Sequence, residues 1–74
     1  MTPAKPAIAK GIYKHYKGNL YEVKGLARHS ETDEWLVVYH RLEDPENWWV
    51  RPATMFVEQV SLNGQEVCRF EHLR

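Results

Sequence analysis

The sequence predicts an all-β domain, either a small SH3-like barrel or a rolled antiparallel sheet of about five to six short strands with one 3₁₀ turn. Three observations support this fold class. The apolar runs are short, turn-forming residues separate them at regular intervals, and no stretch of the 74 residues shows a sustained helical period. Short strands punctuated by turns in this way are typical of small barrels and rolled sheets.

The first part of the domain contains two predicted strands. Residues 12–16 form a short strand, because Ile and Tyr favour extended structure and Lys-Gly-Asn follows as a turn. Residues 20–29 alternate between apolar and charged side chains, which is typical of a half-buried strand. Gly25 interrupts this second strand and predicts a β-bulge or sharp bend.

The middle of the chain contains the most apolar predicted strand. Residues 30–34 are rich in Ser, Thr and Asp and predict a turn. Residues 35–42 are apolar on both faces, so we expect them to form the central strand. Residues 43–47 then predict a second turn, with Pro45 at the second position of a type I turn.

The last third predicts a short strand, one helical turn and a hairpin. Residues 48–51 continue as a strand, and the Pro that follows them is compatible with a single helical or 3₁₀ turn over residues 52–56. Residues 57–62 and 65–70 flank Asn63-Gly64, which is a strong signal for a two-residue β-hairpin turn.

The length allows one domain, which we assign to residues 10–74, after a Pro- and Ala-rich tail over residues 1–9 that we expect to be disordered. The single cysteine, Cys68, cannot form an intrachain disulfide, and the N-terminus lacks the apolar core of a signal peptide. We therefore expect a cytoplasmic protein with no membrane association.

The formal net charge is zero, but the two signs are separated along the chain. Residues 1–28 hold six Lys and Arg against one Glu, whereas residues 29–46 hold six acidic residues against one Arg. Such runs are usually solvated surfaces, but a basic segment can also meet a polyanion. Binding of single-stranded nucleic acid is therefore possible but not favoured, because the chain lacks a motif dense in Lys and Arg.

Polar and aromatic side chains at the strand ends form a candidate ligand-binding surface. Alternate residues of a strand share a face, and a sheet could bring these side chains together. They would offer aromatic planes, imidazoles and a guanidinium, which suit an anionic or planar ligand. The alternative is that the Tyr and Trp side chains are core and the charged groups pair locally. The candidate residues are Tyr13, His15, His29, Glu31, Tyr39, Trp49 and Arg51.

The string His29-Ser30-Glu31-Thr32 allows two interpretations. His29 and Glu31 could act as the acid and base of a small enzyme. Alternatively, Ser30 and Thr32 stabilise a tight turn in which Glu31 accepts backbone amides, and this reading is favoured. The histidines and Cys68 lack the spacing of a metal site, so we expect neither a metal nor a cofactor.

Several blocks of the sequence resemble a family of small bacterial proteins of unknown function. The resemblance spans residues 11–60, and it implies a stand-alone all-β protein without an assigned reaction. The clustering of polar and aromatic side chains at the strand ends, rather than the resemblance, favours a non-catalytic binding module for an unidentified small ligand or partner protein, and we expect it to be a monomer. The blocks include His15-Tyr16-Lys17-Gly18, His29-Ser30-Glu31-Thr32 and Trp49-Val50-Arg51-Pro52.

Overall fold

A computed structural model describes residues 5–74, and it is mostly β-structure. Five strands form one antiparallel sheet in the order β4-β3-β2-β1-β7, and β5 and β6 form a separate hairpin. The all-β prediction is confirmed. Within the part of the chain described, β4 and β7 are the open edges of the sheet, so the strands do not close into a barrel. The elements are β1 Gly11–His15, β2 Leu20–Arg28, β3 Trp35–Arg41, β4 Asp44–Pro52, α1 Ala53–Phe56, β5 Gln59–Leu62, β6 Gln65–Cys68 and β7 Phe70–His72.

The predicted bulge at Gly25 is confirmed. Val23 pairs with Tyr39, but the next paired residue of β2 is Gly25, which pairs with Val38, so one residue of β2 is left over. An extra residue reverses the inward and outward alternation beyond the bulge. Leu26 therefore packs against the core in the second half of β2.

The predicted turn over residues 43–47 is wrong. The chain turns at residues 42–43, and Asp44 already pairs with Arg41 at the start of β4. The ladder then skips to Trp48, which pairs with His40, so residues 45–47 bulge out of the sheet. Pro45 has no N–H to donate to a ladder, and its carbonyl instead accepts the indole N–H of Trp48 at 2.8 Å.

The helical turn and the hairpin follow the prediction, but the last strand does not. Asn63 and Gly64 both have positive φ angles, 53° and 80°, as a type I′ turn requires. The predicted strand 65–70 divides at Arg69, and β7 leaves the hairpin to pair with β1. Arg69 makes this transition possible because its N–H donates to the Glu58 carbonyl at 3.1 Å and its carbonyl accepts the N–H of Tyr16 at 3.0 Å.

The core lies between one face of the sheet and α1. Phe56 of α1 stacks on Phe70 at 4.2 Å between ring centroids, and it meets Tyr13 edge-on at 5.3 Å. Because α1 has only one turn, it covers only part of this sheet face. The buried apolar residues are Tyr13, Val23, Val37, Tyr39, Ala53, Phe56 and Phe70.

The predicted disordered tail covers residues 1–9, of which 1–4 lie outside the described residues. Residues 5–9 have no regular secondary structure, and Ile8 packs against the core. The carbonyl of Ala9 accepts a hydrogen bond from the Tyr13 hydroxyl at 2.8 Å. Where the tail ends and the domain begins stays a prediction.

Over residues 5–74, no helix has both the length and the apolar character needed to cross a membrane.

Candidate ligand-binding site

The strand register places several aromatic side chains on the sheet face that α1 partly covers. Tyr13 pairs with Tyr21, and Tyr39 pairs with both Val23 and Trp49. Directly paired residues share a face. This face therefore carries a continuous row of large side chains from β1 to β4, and part of that row extends beyond the cover of α1.

Phe70, in the edge strand β7, packs against side chains of this row. Its ring centroid is 5.0 Å from His15, 5.5 Å from Tyr21 and 6.0 Å from Tyr39. The guanidinium carbon of Arg51 lies over the same ring at 5.9 Å. The fold thus brings the imidazole of β1 and the guanidinium of β4, two strands that are separated by β2 and β3 in the sheet, close to one aromatic ring.

The inner nitrogens of two guanidinium groups whose charges act on His15 have no acceptor among residues 5–74. The Nε atoms of Arg51 and Arg69 are both buried, and neither has a hydrogen-bond partner among the residues described. Arg69 uses its Nη2 to bind the Glu58 carboxylate at 2.8 Å. Arg51 lies over Phe70, and the charges of Arg51 and Arg69 both act on His15; we use the name arginine cleft for this group of four residues, His15, Arg51, Arg69 and Phe70.

Burial and the positive charges near His15 both lower the pKa of its imidazole. Burial lowers the pKa of its imidazole below the ordinary value, and the charges of Arg69, Lys17 and Arg51 lower it further, in that order. Its Nδ1 accepts the backbone N–H of Lys17 at 3.2 Å. The proton of the neutral ring is therefore on Nε2, which makes this atom a hydrogen-bond donor.

Two of the predicted site residues, Tyr13 and Tyr39, are core side chains. Their exposures are 6% and 7%. The Tyr13 hydroxyl already donates to Ala9, and burial raises its pKa above the ordinary value although that hydrogen bond lowers it in part. These two side chains pack in the core beside the site. The Tyr39 side chain also lines the groove that is described next.

An aromatic groove lies beside the arginine cleft. It has a cavity volume of about 330 Å³. Trp49 forms one wall and is 57% exposed, which is unusual for so large an apolar ring in a small domain. The groove is lined by Tyr21, Tyr39, Arg41, Asp44 and Trp49.

His29 and Glu31 are not part of this site. They lie in the turn that follows the Arg28–Trp35 pair, at the end of β2 opposite to Tyr21. The Nδ1 of His29 accepts the backbone N–H groups of Glu31 at 3.1 Å and Thr32 at 3.3 Å. The turn is therefore structural, but His29 rather than Glu31 accepts the backbone amides, contrary to the expectation from sequence.

Sequence reasoning missed Arg69, Phe70 and Tyr21 as site residues. Arg69 and Phe70 fall inside a segment that reads as one arm of a hairpin, so nothing in the sequence indicates that they cross to the sheet. Tyr21 falls in the alternating segment 20–29, whose pattern predicts a half-buried strand and nothing about a site. Only the pairing of β7 with β1 brings Phe70 opposite His15.

The described residues, 5–74, contain no group of three or more His, Cys, Asp or Glu side chains placed to hold a metal ion.

Comparisons with known proteins indicate a family but no activity. A family model described as a protein of unknown function (DUF1653) matches residues 11–72. The chain is similar to a crystal structure of a DUF1653 protein from Bordetella bronchiseptica, with 36% identity and a TM-score of 0.81. The match covers 90% of this chain and 88% of that chain. No curated protein matches the sequence.

Proposed function

We propose that this chain, which belongs to the DUF1653 family of proteins of unknown function, is a non-catalytic binding module that recognises a small anionic ligand at the arginine cleft. The observation that supports the proposal most strongly is the pair of buried, unpartnered Nε atoms of Arg51 and Arg69. A buried donor without an acceptor costs about 1–3 kcal/mol, and more when it is charged. The Arg51 and Arg69 side chains are only half-buried, so an anion bound at the accessible part of each guanidinium would offset this cost by its negative charge.

The balance of charge around the cleft supports the same proposal. Glu58 neutralises Arg69 through a contact of 2.8 Å. Arg51, by contrast, has no ion pair among the residues that the structure describes. Burial, and after it the positive charges of Arg69, Lys17 and Arg51, lowers the pKa of the nearby His15 and so favours its neutral form. An anion would offset the charge of Arg51 and accept a hydrogen bond from the imidazole Nε2.

The alternative of an acid and base enzyme has less support. His29 Nδ1 is engaged by two backbone amides, and Glu31 is exposed in the same turn. The setting that we propose is the bacterial cytoplasm, which is supported by the single cysteine and by the bacterial source of the similar structure.

The proposal is tested by titrating the protein with inorganic phosphate and following backbone amide shifts by NMR. We expect saturable shifts at residues of the arginine cleft. Arg51→Met should weaken the affinity about 10- to 100-fold, because a hydrogen bond to a charged group contributes about 1.5–3 kcal/mol. The matched control is Arg28→Met, since Arg28 already pairs with Asp33 away from the cleft. Equal affinities of the two variants would refute the proposal.

A further inference from the structure

The arginine cleft and the aromatic groove are adjacent. Trp49 and Arg51 are alternate residues of β4, so they share a face of the strand. Tyr39 in the groove and Arg51 in the cleft both lie about 6 Å from Phe70, at 6.0 Å and 5.9 Å respectively. One ligand could therefore occupy both places at once, with its anionic group at the cleft and another part in the groove.

Trp49 offers an open aromatic face, and its neighbour Trp48 does not. Both indoles are 57% exposed. Trp48 lies on the opposite face of the sheet, where it stacks on His40 at 6.3 Å and donates its N–H to Pro45 at 2.8 Å. Trp49 makes no such ring or hydrogen-bond contact with any of residues 5–74. An uncovered indole beside a charged site is suited to stacking with a planar ring.

The end of the groove is polar and carries both kinds of hydrogen-bonding group. Arg41 supplies donors, and its only ion pair within the described chain is a long one of 3.8 Å to Glu43. Asp44 supplies acceptors, and the amide of Asn47 holds its carboxylate from one side at 2.8 Å. A hydrocarbon ring would leave both groups unsatisfied, whereas the edge of a heterocyclic base presents complementary donors and acceptors.

The size of the groove agrees with a ligand of this kind. Its volume of about 330 Å³ is at the lower end of the range for small-molecule sites, about 300–1,000 Å³. A single planar ring system fits this description better than an extended chain does. The arrangement of groups along β4 is thus Arg51 at the anion site, Trp49 as the stacking wall and Asp44 at the polar edge.

From this arrangement we propose that the ligand is a nucleotide, with its phosphate bound by Arg51 and Arg69 and its base stacked on Trp49 in the groove. The inference rests on the proposed function, because it uses the arginine cleft as the phosphate site. It adds the class of the ligand and assigns Trp49, Arg41 and Asp44 to base recognition.

The test compares adenosine 5′-monophosphate with ribose 5-phosphate and adenosine, in titrations followed by NMR. We expect the nucleotide to bind about 5- to 150-fold more tightly than ribose 5-phosphate, which corresponds to about 1–3 kcal/mol for stacking of one base. Trp49→Ala should abolish this preference and leave the affinity for ribose 5-phosphate unchanged. Trp48→Ala, the matched control, should preserve the preference.

The outcomes separate the two proposals. Equal affinity for the nucleotide and ribose 5-phosphate would overturn the nucleotide inference and leave the anion site standing. Absence of binding by any of the phosphates would overturn both. If Trp49→Ala does not fold, the ring-current shifts of the base protons with the wild-type protein give the answer, because stacking on an indole moves them upfield and their absence would contradict the inference.

A second comparison identifies the source of the nucleotide. A 5′-phosphorylated hexanucleotide of uridines is titrated beside uridine 5′-monophosphate at two salt concentrations. Equal affinities support a free nucleotide as the ligand. Tighter binding of the hexanucleotide with a steep loss of affinity at high salt supports the nucleotide at the end of a single strand. Weaker binding of both than of inorganic phosphate would contradict a nucleotide ligand.

Discussion

Replacing Arg51 with Met should make the protein more stable while it loses affinity for anions. Met keeps an unbranched stem of similar length over Phe70, so the apolar contacts of the side chain are largely preserved. The substitution removes the guanidinium group, whose Nε is buried without a partner. It also removes one of the three positive charges that act on His15.

The magnitude follows from two opposing contributions. Relief of a buried, unsatisfied N–H is worth about 1–3 kcal/mol. Loss of the cation–π contact between Arg51 and Phe70, which are 5.9 Å apart, costs about 0.5–1 kcal/mol. The free energy of unfolding should therefore rise by between about 0 and about 2.5 kcal/mol. In a domain of this size each kcal/mol moves Tm by about 4–8 °C, so a gain of about 1 kcal/mol, near the middle of that range, corresponds to a rise in Tm of about 4–8 °C.

The assay is urea and thermal unfolding followed by circular dichroism, in buffer without phosphate or sulfate. Arg28→Met is the matched control, because Arg28 donates to Asp33 and lies over Trp35 at 5.0 Å. That variant should lose stability by up to about 1 kcal/mol. The reasoning is refuted if Arg51→Met is less stable than the wild type and binds phosphate with unchanged affinity.

Three further predictions concern the cleft, the core and the start of β1. The pKa of His15 should lie below the ordinary 6.5 and rise in Arg51→Met, as measured by NMR titration of the ring protons. Because the unfolded chain binds this proton more readily than the folded chain does, the free energy of unfolding should fall as the pH drops from about 6.5 towards the folded pKa. A pKa of His15 above 6.5 would contradict this prediction. Phe56→Ala should lower the free energy of unfolding by about 3–5 kcal/mol, because Phe56 is 2% exposed and stacks on Phe70, whereas Val57→Ala at the adjacent exposed position should change it by less than about 0.5 kcal/mol. Gly11→Ala should lower the free energy of unfolding by about 1–3 kcal/mol in the same urea assay, because φ is +143° and the new Cβ would lie 2.9 Å from His72 Nε2 and against the Arg74 carbonyl. Gly18→Ala is the control, since Gly18 also has a positive φ but has open space around it, and this variant should lose less stability. The opposite order would show that the clash is unimportant.

Local signals in the sequence were sufficient for most of the fold. Asn63-Gly64 predicts its hairpin because both residues tolerate the positive φ angles of a type I′ turn, and the structure has those angles. Gly25 predicts a bulge for a similar local reason, and the register shift confirms it. In both places the conformation is decided by residues that are neighbours in the chain.

The errors arose where long-range pairing decides the structure. Pro45 is a good turn residue, but pairing of Trp48 and Trp49 with β3 fixes the ladder and leaves Pro45 in a bulge after the turn. Residues 65–70 look continuous, but the pairing of Phe70 with His15 divides them at Arg69. No local sequence pattern predicts either of these two strand pairings.

The candidate site was predictable only in part for the same reason. His15, Trp49 and Arg51 are candidates from the sequence because they are polar or aromatic side chains at strand ends. The structure brings His15 and Arg51 together around Phe70. His29 and Glu31 have the same character, but they lie in the turn at the other end of β2. The types of side chain in the sequence indicate candidate site residues, but the register of the strands decides which of these residues lie close together.

The most direct measurement of the central claim is the NMR spectrum of the arginine Nε–Hε groups during addition of inorganic phosphate. The anion should bind the half-buried guanidinium groups of Arg51 and Arg69 and so change the electrostatic environment of their buried Nε–H groups. Their Hε resonances should therefore move, while that of Arg28 stays unchanged. If the Arg51 and Arg69 resonances do not move at phosphate concentrations up to the millimolar range, the cleft is not an anion site.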